Sequence, residues 1–242
     1  MSMLWLQAIV INTVLIAGAQ RFPLLTPSGW VHAGALGTVL WGCLGWQGWL
    51  AVVMYLAAGS LVTKIGWRDK EKRGLAEARG GRRSPANVWG SAATGAALAL
   101  LIGSGLEPKS LLLVGFSASF AAKLADTFGS EIGKRWGGQP RLITTLQPVP
   151  AGTEGAISLE GTLASAAGSV LMTLALYSLQ LLPSLAISSV VMLIGLLATL
   201  AESVLGAVAQ DRLTWLSNEL VNSLQTTLAA LLAIAVLSPW MS

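Results

Sequence analysis

The chain alternates between long apolar runs and short polar interruptions. A helix needs about 20 mostly apolar residues to cross the hydrocarbon core, within a range of about 17–25. Eight runs fit: Met3–Gln20, Gly29–Cys43, Gln47–Thr63, Val88–Ser104, Lys109–Asp126, Ile157–Leu181, Ser184–Val208 and Glu219–Trp240. The second is short and interrupted by glycines. Gly45 and Gly48 predict a tight turn between the second and third. Leu182-Pro183-Ser184 divides the sixth from the seventh, because proline cannot continue the helix ladder. The pattern predicts an all-α polytopic membrane helix bundle of about eight transmembrane helices, forming one integral membrane domain over residues 1–242.

Composition supports the same class. Hydrophobic residues make up 54% of the 242 and charged residues 11%, against about 25% charged in a soluble domain, and the mean hydropathy is +0.68. The first apolar segment lacks a basic leader and a small-residue cleavage site, so no signal peptide is expected. Cys43 stands alone, which excludes an internal disulfide and a multi-cysteine metal site and leaves packing as its role. His32 is the only histidine, so a zinc cluster and a Ser-His-Asp triad both lack parts. No Walker-type phosphate loop is present. Tryptophans such as Trp30, Trp41, Trp46, Trp49, Trp67 and Trp240 gather near span ends, as interface anchors do.

The 15 Lys and Arg against 11 Asp and Glu matter through their placement. Arg21, the run from Lys64 to Arg83, Lys123, Lys134, Arg135, Arg141 and Arg212 fall on one side of the eight-span layout, and Lys109 alone on the other. The positive-inside rule makes that side cytoplasmic. The loops near 21–28, 64–87, 127–156 and 209–218 then face the cytoplasm, and both termini lie on the non-cytoplasmic side. A basic integral membrane protein accounts for the high positive charge without a nucleic-acid partner.

Four polar constellations share the cytoplasmic side. In the basic loop, Arg68, Lys70 and Lys72 read as topology signal and attraction to anionic lipid headgroups. Further along, Gly80-Gly81 lets the backbone approach a ligand, Arg82 and Arg83 can clamp phosphate oxygens, and Ser84 and Asn87 open the fourth helix, whose N-terminus attracts anions. The second constellation is Asp126 to Lys134. An ionisable residue at membrane depth is a functional-site candidate, since its insertion costs at least about 2.5 kcal/mol. If the fifth helix continues, Asp126 and Ser130 share a face, as do Lys123 and Thr127. Carboxylate and hydroxyl oxygens suit Mg²⁺, which takes one or two protein carboxylates plus substrate phosphates; the structural alternative is a buried ion pair. The third is Pro148 to Thr162, where Gly152, Thr153, Glu154, Gly155 and Ser158 lead into the sixth helix. Thr153 is a candidate cap, and Glu154 or Glu160 a metal or nucleotide contact. The fourth joins Glu202-Ser203, the only acid of the seventh span, to Asn218, Glu219 and Asn222; interhelical hydrogen bonding is its plainer reading.

Taken together, Glu71 to Arg73, Gly80 to Asn87, Asp126 to Gly133, Gly152 to Gly161, Glu202 to Gln210 and Asn218 to Asn222 resemble the membrane-protein family that contains the plant and cyanobacterial phytyl-phosphate kinases and the animal transmembrane protein 19. The layout is also similar to polyprenol kinases and CDP-diacylglycerol synthases: Asp126, Glu154-Gly155 and Glu202-Ser203 occupy the places of the Asp motif, the Glu-Gly segment and the late Glu-Ser. The late Glu-Ser here is not followed by the Lys-Arg and Lys-Asp of the synthase signature, which favours phosphoryl transfer over cytidylyl transfer.

The resemblance implies an isoprenoid phosphate kinase that moves the terminal phosphoryl of a nucleotide, CTP by expectation, to phytyl monophosphate. The diphosphate product would serve tocopherol and phylloquinone synthesis. Under it, Asp126, Lys123 and Glu154 are expected to be catalytic, and Mg²⁺ to be held among Asp126, Glu131, Glu154 and Glu202. The phosphates and nucleotide would be bound by Arg73, Arg82, Arg83, Ser84, Asn87, Thr127, Ser130, Lys134, Gly152, Thr153, Gly155, Ser158, Asn218 and Asn222. The expected setting is the plasma or thylakoid membrane of a bacterium, a cyanobacterium by expectation, with membrane lipids around the protein, a cytoplasm-facing site and a homo-oligomer open. The alternatives are a CDP-lipid-forming cytidylyltransferase and a lipid-phosphate transporter. A transporter needs polar access from both sides, whereas the polar residues here concentrate on one.

Overall fold

The computed structural model of the chain describes residues 3–210 and 213–241. Arg212, counted above among the cytoplasmic cations, lies outside the described residues. The helices are α1 (Met3–Ala19), α2 (Pro27–Lys64), α3 (Trp67–Lys72), α4 (Pro85–Gly103), α5 (Lys109–Trp136), α6 (Leu159–Ser178), α7 (Leu185–Leu205) and α8 (Asn218–Met241), with α7 continuing into a π-turn over Gly206–Gln210. The protein is an all-α polytopic membrane bundle. Six of its helices are long and apolar enough to cross a membrane, and α1 is a shorter apolar helix.

The long helix α2 is a hairpin. Gly45, at φ 74° and ψ −169°, interrupts it, in a region glycine enters without the steric cost a side chain brings. The two arms run antiparallel: Gly29, near the start of one, and Gly59, near the end of the other, both abut Arg83. Trp41 and Trp49 meet across the turn with ring centroids 5.4 Å apart. The turn read at Gly45 is therefore present. Counting its arms separately, eight apolar segments traverse the bundle, an even number that brings both ends of the described chain to one side.

Helix α5 forms the centre, packing against α2, α4, α6, α7 and α8. It does not stop at Asp126. It runs on to Trp136, so the expected loop beginning at residue 127 is corrected: residues 127–136 are helical. Polar residues suggest a helix end because they are costly against lipid, but here they face protein. Lys123 pairs with Asp126, and Glu131 pairs with Lys70. Gly129, Gly133 and Gly161 let α5 and α6 close: a Cβ at Gly161 would lie 3.1 Å from the Gly129 carbonyl, and one at Gly133 only 3.6 Å from the Gly161 Cα. Small residues permit this approach in lipid, where packing and interhelical hydrogen bonds replace the hydrophobic drive.

The connection from 64 to 87 carries α3 and a 3₁₀ turn over Ala78–Gly81. Lys70, assigned above to lipid headgroups, is fully buried instead. Its ammonium donates to the Thr63 carbonyl at 2.9 Å and pairs with Glu131. A two-stranded antiparallel ribbon, Arg141–Leu142 against Ala156–Ile157, precedes α6. Ser158, not Thr153, caps that helix. The Ser158 backbone is extended and its Oγ accepts from the Gly161 N–H at 3.1 Å, whereas Thr153 donates to the Pro150 carbonyl in the preceding turn.

Candidate functional site

One end of the bundle holds a cavity of about 300 Å³, walled by α4 to α8, the 3₁₀ turn and the segment leading into α6. Its size matches the lower range of small-molecule sites. The structure brings most of the residues singled out above to this wall: Arg82, Arg83 and Asn87 from the basic loop; Lys123, Asp126, Thr127, Ser130, Glu131 and Lys134 from α5; Gly152, Thr153, Glu154, Gly155 and Ser158 from the next segment; and Glu202, Asn218 and Asn222 from α7 and α8. Arg73, Ser84 and Glu160 are not on it. Arg73 reaches the Lys134 carbonyl of α5 at 3.0 Å and Asp69 of α3 at 3.6 Å. Ser84 is occupied as the N-cap of α4, in a reciprocal box with Asn87.

At the inner part of the wall, the nearly buried Lys123 pairs with Asp126 one turn later on α5 and donates to the Asn222 Oδ1 of α8 at 2.8 Å. Ser130 lies 3.5 Å from the Asp126 Oδ1, so the i,i+4 face exists. Thr127 turns back to its own helix, donating to the Lys123 carbonyl at 2.9 Å. Below them Gln225 of α8 donates to Thr199 of α7 at 3.1 Å and to the Ala122 carbonyl of α5 at 3.3 Å. This knot ties three helices together beneath the charges. Glu202 projects from the last turns of α7, with Asp126, Lys123 and Glu154 as charged neighbours, and makes no hydrogen bond or ion pair among the described residues.

The mouth is built differently. Lys134 donates to the Glu77 carboxylate at 2.7 Å. Glu77 was not singled out in the sequence, since it sits alone in a basic loop with no motif around it. Burial pushes its carboxyl up, but the adjacent Lys134 ammonium and the Arg83 and Lys123 charges together hold it below the usual carboxylate range. Arg82 is exposed and donates to the Arg79 carbonyl at 3.1 Å. Arg79 itself donates to the Asn87 Oδ1 at 3.0 Å, and the Asn87 amide donates to Glu219 at 3.1 Å, joining the loop to α8.

The segment carrying Glu154 is held against α7 by glycine. Gly155 has φ 73°, and a Cβ there would lie 2.5 Å from both the Ser203 carbonyl and the Ala207 backbone nitrogen. Gly206, in the π-turn, takes the other side of the contact. Single π-turns of this kind recur at functional sites.

Among the described residues no three His, Cys, Asp or Glu side chains are close enough to form a metal cage by themselves. The donor set on the wall is carboxylate and hydroxyl oxygen. That suits Mg²⁺ arriving with phosphate oxygens in its shell rather than a resident all-protein site. Glu131 is the least available of the expected ligands, because its carboxylate is taken by Lys70.

With this geometry in hand, the relatives are informative. The family model described as "Integral membrane protein DUF92" matches residues 10–230. An uncharacterized membrane protein of Synechocystis is 48% identical over 237 residues, covering 96% of this chain and 91% of its own length. Protein VTE6, chloroplastic, of Arabidopsis thaliana is 41% identical over 217 residues, covering 87% of this chain. The match spans 64% of that plant protein's length. An uncharacterized membrane protein of Methanocaldococcus jannaschii is 29% identical over 95% of this chain and 92% of its own length. No solved structure gives a significant match.

Proposed function

The chain belongs to the DUF92 family of integral membrane proteins, and from that starting point we propose that it is an isoprenoid phosphate kinase. In this reading it transfers the terminal phosphoryl of a nucleoside triphosphate, CTP foremost, to phytyl monophosphate. One observation carries the proposal: Lys123, Asp126, Glu154, Glu202, Arg82, Arg83 and Lys134 all line one cavity at one end of a membrane bundle. A phosphate on a lipid tail lies with its head at that level of the bilayer. The motif resemblance to phytyl-phosphate kinases supports the lipid-phosphate acceptor.

The reaction asks little covalent chemistry of the protein. An oxygen of the acceptor monophosphate attacks the nucleotide γ-phosphorus. The bond from that phosphorus to the β–γ bridging oxygen breaks, and the nucleoside diphosphate leaves with the electron pair. Charge spreads over the transferred group, so positioning and electrostatic stabilisation dominate. Arg82, Arg83 and Lys134 would hold phosphate oxygens. Lys123 would balance charge beside Asp126, and Asn222 fixes its ammonium. Mg²⁺ brought in with the nucleotide would be held by Asp126, with Glu154 or Glu202, and would neutralise phosphoryl oxygens.

A panel assay tests the reading. Purified protein in detergent with Mg²⁺ is given CTP, ATP, GTP or UTP and farnesyl, geranylgeranyl or phytyl monophosphate. Formation of an isoprenyl diphosphate with at least one pair is the expected result, and phytyl monophosphate with CTP is expected to be the fastest. No product with any pair would overturn the proposal.

A further inference from the structure

The cations of this end of the protein divide into two kinds. Lys70, Lys123, Lys134 and Arg135 each lie against a carboxylate: Glu131, Asp126, Glu77 and Asp69. Arg83 does not. Among the described residues no Asp or Glu lies within ion-pair distance of it, yet it lines the cavity and is held more firmly than its neighbour Arg82.

Its restraint comes from two segments. Its backbone bridges the chain ahead of α2: the Arg83 N–H donates to the Leu24 carbonyl at 3.0 Å, and the Thr26 N–H donates to the Arg83 carbonyl at 3.0 Å. Its guanidinium donates to the Tyr55 hydroxyl at 2.5 Å, with the Tyr55 ring centroid 5.0 Å from the guanidinium carbon. Tyr55 is 3% exposed and is locked edge-on against Phe120 of α5 at 5.8 Å. Gly59, one turn further along the same arm, supplies the space: a Cβ there would collide with Nη2 of Arg83.

We propose that Tyr55 and Gly59 are positioning residues for Arg83, which they fix as the cavity's preorganised phosphate-binding cation. The inference rests on the phosphate-site reading above. The physical reason is the choice of a neutral partner. A carboxylate would hold the arginine equally well but would cancel the charge an incoming phosphate needs. A phenol oxygen and an aromatic face orient a guanidinium and leave its charge available. A free arginine loses rotamer freedom on binding, which a fixed one does not, and preorganised charge acts at full strength when the transition state forms. Arg82, whose guanidinium is exposed and returns to the Arg79 backbone, lacks this support.

The test uses Tyr55→Phe, which keeps the ring and removes the hydroxyl, and Gly59→Ala, which displaces Nη2 without touching the tyrosine. Inorganic tripolyphosphate binding to the detergent-solubilised full chain is measured by calorimetry, beside melting temperature and kinase turnover. Arg68→Ala, outside the cavity, is the control. Both variants are expected to weaken tripolyphosphate about tenfold and to lower kcat by a similar factor, with KM for the lipid acceptor nearly unchanged. In an Arg83→Lys background, Tyr55→Phe is expected to add less than about twofold, a non-additivity that a general packing defect would not produce. Wild-type protein that does not bind tripolyphosphate would overturn the phosphate site beneath the inference. Wild-type protein that binds it, with a folded variant that binds and turns over equally well, would overturn the roles of Tyr55 and Gly59 alone.

Discussion

The Lys123 ammonium is shared between Asp126, one turn along the same helix, and Asn222 of α8, which accepts at 2.8 Å. The arrangement holds a carboxylate in place at the edge of the bundle while keeping it at the wall of a cavity. Asp126→Asn preserves shape and removes the charge. Turnover is expected to fall at least about 100-fold, the size of effect seen when one preorganised electrostatic group is lost. The melting temperature should fall as well, because the nearly buried Lys123 ammonium loses its counter-charge. Steady-state kinetics beside a thermal melt decide it, and full Mg²⁺-dependent activity in this variant would remove Asp126 from the centre of the mechanism.

The pair of Lys70 and Glu131 bears on stability. Lys70 is fully buried and Glu131 nearly so, and together they fasten α3 and the end of α2 to the far part of α5. Breaking a buried pair leaves an uncompensated charge and costs about 3–5 kcal/mol. Lys70→Met is therefore expected to lower the melting temperature of the detergent-solubilised protein markedly. Lys70→Met combined with Glu131→Leu is expected to recover much of the loss. A single variant as stable as wild type would show that the two groups are not paired in the folded protein.

Gly155 joins the Glu154 segment to the end of α7. Gly155→Ala faces both a positive φ and backbone atoms 2.5 Å from the new Cβ. The segment must shift, and Glu154 moves with it. A displacement of about 1 Å at a reacting centre can cost about 100-fold in rate, so turnover should fall steeply while the transmembrane bundle stays folded. Gly152→Ala shares the positive φ but would meet only the Leu75 side chain, at 2.9 Å, and no backbone atom, so it is expected to be milder. Equal, small effects from both would contradict the tight contact.

These residues also show what a single sequence reveals. The apolar runs exposed the apolar helices of the bundle and the Gly45 turn, because lipid forces long apolar helices and glycine permits the reversal between two of them. The end of α5 stayed hidden for the same physical reason. Polar residues from Asp126 to Lys134 resemble an exit from the bilayer, whereas in the fold they face a cavity and one another. Asp126, Glu154 and Glu202 stood out as rare acids in an apolar chain, and the structure places all three on one wall. Glu77 and Tyr55 carried no such signal. An acid within a basic loop reads as surface, and a tyrosine in an apolar helix reads as core. Only the position of Lys134 and Arg83 beside them gives them a role.

The Glu77–Lys134 pair predicts a pH dependence. The Glu77 carboxyl titrates below its ordinary range in the folded protein, and its unfolded value is about 4.3. The stability it contributes is present in full above that unfolded value and is lost as pH falls through the lower, folded one. The difference in melting temperature between wild type and Glu77→Gln should accordingly be constant from about pH 6 to 8. It should shrink once the medium is acidified below about pH 4. The effect is small, because both side chains are partly exposed and salt screens them. A difference that grew on acidification would have the wrong sign for this pair.

The central claim is the direction of group transfer, and paired labelling addresses it most directly. Purified protein, Mg²⁺ and phytyl monophosphate are incubated with CTP carrying label either at the γ- or at the α-phosphate. A kinase places the γ-label in the lipid diphosphate and leaves the α-label in CDP. Label from the α-phosphate appearing in the lipid product would instead mark a cytidylyltransferase and contradict the account.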